Sequence, residues 1–193
     1  MKSENIEREK ELKEKFNAYF RQLGIEDLYS QLDKSKLIEL KRLLSCINNI
    51  ITLRATNTFV QKLYDDGFVS DEDKKSMLYV IDHQHANTNG YDVNYGKNAE
   101  RKIIAEVKCN IPVNKTSFGA AQEEGILEDI KHLLDGKDTA ADVKATECYK
   151  FMAILDYGNA QVCMEKILNK TEHVKRYTTP AELDKENVFV VFV

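Results

Sequence analysis

The chain has 193 residues, of which 42% are hydrophobic, 31% are charged and only two are proline. This composition is typical of a folded globular protein and excludes a disordered, collagen-like or disulfide-stapled chain. The formal net charge of −4 provides no overall basic surface, which counts against a nonspecific DNA-binding protein.

The length is that of one domain of ordinary size. We expect a single domain over residues 1–193, with a helical extension over 1–35 and a core over 36–193. The four cysteines lie far apart and form no Cys-x-x-Cys pair, which predicts reduced thiols and a cytoplasmic location. The N-terminal residues have no apolar signal region, and no stretch is long and apolar enough to span a membrane. We therefore expect neither secretion nor membrane insertion.

The N-terminal part of the chain is predicted to be helical. Apolar residues recur at helical spacing over residues 6–23, and Gly24 is suited to end that helix. The same spacing over residues 36–64 predicts one long helix, or two helices with a break near residues 52–57. The apolar face of the first helix would pack on its own domain or on a second subunit.

The element after residue 69 has a clear helical start, but its type is ambiguous from residue 77 onward. Ser70 and Asp73 form a capping box, which predicts the start of a helix. The segment Met77–His85 that follows has the β-branched and aromatic content of a strand, yet its apolar residues also recur at helical spacing. Both assignments stay open from the sequence.

The remaining elements predict a mixed α/β domain. Residues 91–95 and 102–109 read as the two strands of a hairpin, and Ser117 can cap a helix over residues 118–134. A buried strand, a helix and a final strand are then predicted within residues 148–157, 159–170 and 187–193.

Charged residues lie inside the apolar second strand of this hairpin. Side chains alternate between the two faces of a strand, so Glu106 and Lys108 share one face. Pairing of the hairpin would bring Asp92, in the first strand, within reach of an ion shared with Glu106. Two crowded carboxylates repel each other, and Mg²⁺ relieves that repulsion because it takes oxygen ligands. The alternative is a structural ion pair on a half-exposed hairpin, which would contribute little to stability.

The pattern of an Asp, about a dozen residues and then Glu-x-Lys on the next strand resembles the PD-(D/E)XK nuclease superfamily, with Asp92, Glu106 and Lys108 at its signature positions. The resemblance covers the motif and the order of elements over roughly residues 36–157. It implies an α/β fold of the restriction-endonuclease-like type: a mixed sheet flanked by helices, built from a helix, three antiparallel strands, a helix and a further strand. Tyr91 replaces the proline of the motif's name, and the first core strand would have to come from the ambiguous segment.

The resemblance implies Mg²⁺-dependent hydrolysis of DNA phosphodiester bonds, with Mn²⁺ able to replace Mg²⁺. Asp92 and Glu106 would hold the metal, and Lys108 would position or activate a water. A type II restriction enzyme is one such role, in which a homodimer through the N-terminal helices would cut both strands. The alternatives are a noncatalytic module on the same fold that binds nucleic acid or protein, and a helical scaffold protein with a small sheet.

Further polar residues are candidates for the same site. In parts of the superfamily the helix after the motif supplies a polar residue, and Gln122 interrupts the apolar stripe of that helix. A satisfied structural amide is the equally open alternative for Gln122, and Glu123 is the neighbouring candidate. Glu39 is the candidate for an additional acid from the first core helix.

Two groups of residues could bind other ligands. Residues beyond the catalytic strand and near the hairpin turn are candidates for contacts to DNA phosphates. This group consists of Asn110, Asn114, Lys115, Thr116, Ser117, Arg101 and Lys102. Asp82, His83 and His85 could bind a transition metal, because residues i and i+2 of a strand share a face; the alternative is a polar strand end that leads into the turn at residues 86–90.

Overall fold

The computed structural model describes residues 3–83, 90–96, 101–113 and 116–193. These residues form a mixed α/β fold with five α-helices and one five-stranded mixed sheet, as the sequence predicted at the level of fold class. The chain divides into two compact units, Met1–Ile47 and Asn48–Val193. No helix in the described part of the chain is long and apolar enough to cross a membrane.

The predicted N-terminal helices are both present. Helix α1 covers Ser3–Gln22, and Gly24 follows it with φ +77°, a left-handed conformation that glycine adopts without strain. Helix α2 covers Lys34–Asp65 without interruption, so the alternative with a break near residues 52–57 is wrong. The C-terminal half of α2 buries Phe59 and Leu63 completely, which ties it to the core of the larger unit.

Helix α3 occupies Asp71–His83, where the family resemblance required the first core strand. That expectation is wrong for Met77–His83, and His85 lies outside the described residues. The physical reason is local. Ser70 Oγ accepts a hydrogen bond from the Asp73 N–H (3.1 Å), and Asp73 Oδ2 accepts one from the Ser70 N–H (3.2 Å). Met77 and Ile81, four residues apart, are then both buried on one helical face.

We expect Ser70→Ala to lower the free energy of unfolding by about 1 kcal/mol, because it removes the N-terminal cap of α3. Urea unfolding measures this change. Ser76→Ala, at an exposed position inside the same helix, is the matched control and should cause no comparable loss. Equal stabilities of the two variants would mean that the cap does not stabilise α3.

The sheet contains strands β1 Val93–Tyr95, β2 Ile103–Lys108, β3 Tyr149–Ile154, β4 Val174–Arg176 and β5 Val188–Phe192 in the spatial order β1-β2-β3-β5-β4. The predicted hairpin is confirmed, because β1 pairs antiparallel with β2 and Val93 lies opposite Ala105. All other pairs are parallel. In the described residues, two sheet strands instead of the expected three precede the helix that begins at Ala120. The short strand β4 was not predicted.

Helices cover both faces of the sheet in the larger unit. Helices α4 (Ala120–Asp135) and α5 (Ala160–Leu168) share one buried cluster with Ile104 and Val190 of the sheet. Helices α2 and α3 share a second buried cluster with Ile103 and Phe151, on the opposite face. Helix α4 is capped by Gly119 and not by Ser117, so the predicted cap is wrong.

Candidate active site

The site lies where strand β2 ends under helix α4. Glu106 lies two residues after Ile104, so it faces the α4 side of the sheet, and it is only 5% exposed. Lys108 follows on the same face at the end of the strand. Asp92 lies just before β1, and its Oδ2 accepts a hydrogen bond from the Val107 N–H at 2.7 Å. The hairpin therefore brings together the three residues of the sequence motif.

Two ion pairs add residues that the sequence interpretation missed. Lys108 Nζ lies 2.5 Å from Asp129 Oδ2 on α4, and Lys137 Nζ lies 2.5 Å from Glu106 Oε1. Both contacts are close ion pairs, and the contact with Lys137 opposes the effect of burial on Glu106. Three carboxylates and two ammonium groups are thus gathered in one largely buried place.

The sequence contains a pattern from which Asp129 could have been predicted as a site residue. Asp129 lies three residues after Ile126 and seven after Gln122, so it also interrupts the apolar stripe of α4. The pattern that makes Gln122 a candidate in the sequence applies equally to Asp129. Lys137 has no such signal, because it lies after the helix in an irregular polar segment.

Burial and mutual repulsion govern the protonation of the carboxyl groups. Burial raises the pKa of Glu106 to about 8; the charges of Asp92 and Asp129 raise it too, and Lys137 acts in the opposite direction. Burial also raises the pKa of Asp92, against the lowering effect of the hydrogen bond from Val107. The positive charge supplied by the described residues is therefore too small to keep Glu106 and Asp92 ionised without cost, and an added cation would favour their ionised forms.

The residues fit a hydrated divalent ion better than a metal enclosed by protein ligands. As the side chains stand, the described residues contain no group of three or more His, Cys, Asp or Glu that could hold a metal ion. Mg²⁺ commonly needs only one or two carboxylates, since water and substrate oxygens complete its coordination. Asp92 and Glu106, whose charges influence each other, could supply such a pair.

Gln122 is engaged at the start of α4. Its Oε1 accepts a hydrogen bond from the Gly119 N–H at 3.0 Å, and its Nε2 donates one to the Ile111 carbonyl at 3.3 Å. These contacts are those of the satisfied structural amide, one of the two alternatives for this residue. A catalytic role for Gln122 stays a prediction, as it does for Glu123 and for Glu39, which is exposed on α2.

The residues predicted to contact phosphates are spread over the two ends of β2. Asn110 and Ser117 are half-buried beyond its C-terminal end, near Lys108 in the chain, whereas Asn114 and Lys115 lie outside the described residues. Arg101 precedes the strand, roughly 20 Å along the chain from Lys108. Arg101 donates a hydrogen bond to the Phe68 carbonyl.

Two further candidates also have partners. Lys102, next to Arg101, forms an ion pair with Glu147. His83 stacks on Tyr79 and ends α3, so the strand geometry that would have made His83 and His85 share a metal is not present at His83.

Comparison with known proteins found no match. No protein-family model, no curated protein and no solved structure shows significant similarity to the chain. The resemblance to the PD-(D/E)XK superfamily therefore rests on the sequence motif and the order of elements.

Proposed function

We propose that the chain is a metal-dependent nuclease with a restriction-endonuclease-like core that hydrolyses DNA phosphodiester bonds. The observation that carries the proposal is the buried Glu106 carboxylate, with Asp92 and Asp129 close enough to raise its pKa and with Lys108 on the same face of the strand. The order of α2, the hairpin, α4 and a strand parallel to β2 supports this assignment. The described residues contain α3 and no first core strand before the hairpin, which is the departure from the family pattern.

In the proposed reaction Asp92 and Glu106 hold Mg²⁺, for which Mn²⁺ can substitute. The bound metal supplies charge stabilisation to the attacked phosphate and lowers the pKa of a bound water. Asp129 holds the Lys108 ammonium group at 2.5 Å, so Lys108 has one preferred position at the end of β2. Held in this position, Lys108 is assigned to orienting the water and stabilising the phosphate charge.

The alternative is a noncatalytic binding module on the same fold, in which the charges are structural. Buried structural ion pairs normally match each charge with an opposite one, because an unmatched buried charge is costly. Here three carboxylates face two lysines, and the hydrogen bond to Asp92 comes from a backbone N–H. Among the described residues one carboxyl group is therefore left over, and burial keeps Glu106 largely protonated at neutral pH unless a cation binds, which favours the metal-dependent enzyme.

A restriction role would involve a second copy of the chain in the cytoplasm. A homodimer through the N-terminal helices would cut both DNA strands. The four cysteines are free, as a reducing compartment requires. Large apolar side chains exposed on α1 and on the first part of α2 support such an interface: Leu12, Tyr19, Leu37, Leu43, Leu44 and Ile47.

Metal removal tests the proposal. We expect the purified protein to nick or linearise supercoiled plasmid with Mg²⁺ or Mn²⁺ and to cut nothing in excess EDTA. Mg²⁺ should also raise the midpoint of thermal unfolding, because a ligand that binds only the folded state stabilises it. Asp92→Asn, purified in parallel, controls for a contaminating nuclease. Absence of both cutting and a thermal shift would support the noncatalytic module instead.

A further inference from the structure

Lys137 lies outside the sequence motif but inside the site. Helix α4 ends at Asp135, and Gly136 follows with φ +101°, a conformation that favours glycine. The chain then turns so that the Lys137 side chain, only 14% exposed, reaches Glu106. A lysine is seldom buried to this extent unless it is paired.

Lys137 has contacts of its own that do not depend on Glu106. Its Nζ donates a hydrogen bond to the Gly90 carbonyl at 3.0 Å, and it lies 5.2 Å from the centroid of the Tyr91 ring. Tyr91 is itself anchored, because its hydroxyl donates to the His132 carbonyl of α4 at 3.0 Å. The ammonium group is therefore held in place and does not swing freely between Glu106 and solvent.

Carboxylates that bind metals are themselves usually held by a second set of residues, whose loss weakens metal affinity. On the basis of the proposed function, we propose that Lys137 is a positioning residue for the metal site: it holds Oε1 of Glu106 so that this side chain is placed to bind a divalent cation together with Asp92. Lys137 itself contacts neither the metal nor the substrate.

The test is the affinity for Mn²⁺ alone, measured from the electron paramagnetic resonance signal of the free ion, without DNA. We expect Lys137→Met to weaken Mn²⁺ binding by about 10–100-fold. Lys137→Arg keeps the positive charge and should bind Mn²⁺ within about threefold of wild type. Lys131→Met removes a charge from an exposed position of α4 and should leave the affinity unchanged.

Thermal unfolding in EDTA shows whether each variant is folded, and Lys137→Gln replaces the Met variant if that one is not. Unchanged affinity in the folded Met variant would overturn the inference and leave the nuclease proposal standing. Equal weakening in the Met and Arg variants would assign the loss to packing and would also overturn it. If wild type binds no Mn²⁺, the inference and the metal-dependent function both fail.

Discussion

Lys108→Ala is expected to lower Mg²⁺-dependent cleavage of DNA by about 10³-fold, the typical loss when one group that stabilises the charge of a transition state is removed. Lys108 ends the same face of β2 that carries Glu106, and Asp129 fixes its ammonium group at 2.5 Å. The substitution removes this positive charge from beside the attacked phosphate. Initial rates of plasmid nicking under single-turnover conditions measure the effect.

The loss should be specific to the chemical step. Lys170→Ala removes one positive charge from an exposed residue after α5 and is expected to cut at the wild-type rate. Mn²⁺ should bind to the Lys108 variant at least as tightly as to wild type, because both predicted ligands remain. A Lys108 variant that cuts within about tenfold of wild type, where a factor of ten is only about 1.4 kcal/mol of barrier, would exclude the proposed role.

The second large effect concerns stability and pH. The ordinary pKa of a glutamate is near 4.5, and burial raises that of Glu106 to about 8 in the folded state. Between these two values the folded protein binds more protons than the unfolded chain, so the free energy of unfolding decreases as pH rises. The stability gained from keeping Glu106 protonated is fully present below about pH 4.5, and it is lost as pH rises through about 8. In EDTA, we expect the free energy of unfolding to fall by roughly 2–5 kcal/mol as pH rises from about 4.5 to about 8, because Glu106 ionises over that range.

Glu106→Gln should remove most of this pH dependence, because the amide is isosteric with the protonated acid and does not ionise. Urea unfolding in EDTA at pH 5.5, 7 and 8.5 should give a flatter profile for the variant and a higher stability than wild type at pH 8.5. Asp92, whose pKa is raised in the same direction, leaves a smaller residual slope. Glu147→Gln, in a half-exposed ion pair, is the control for a general loss of negative charge.

Parallel profiles for wild type and Glu106→Gln would show that Glu106 does not titrate as a buried acid with a raised pKa. The same variant should also lose the Mg²⁺-induced rise in the unfolding midpoint, since a neutral amide is a poor ligand for Mg²⁺. These two readouts are independent. One reports the protonation of Glu106 without metal, and the other reports its contribution to metal binding.

The sequence alone determined those elements that local periodicity and capping specify. The apolar spacing of α2 and α4, and the short apolar runs of β3 and β5, each describe a face that must be buried whatever the partner. The sequence also predicted that Asp92, Glu106 and Lys108 lie close together. They belong to one hairpin, and the pairing of a hairpin depends on residues that are near each other in the chain. Met77 was ambiguous because a short apolar segment satisfies the strand and helix patterns equally well.

Only the tertiary structure decided which charges surround the motif. Strand β4 has three residues and exists as a strand through its pairing with β5. Asp129 and Lys137 reach the site because the connection from β2 to the parallel β3 carries α4 over the sheet. Contacts between residues far apart in the chain depend on how helices pack on a sheet, and no local pattern encodes that packing. The ion pairs that position Lys108 and Glu106 follow from it.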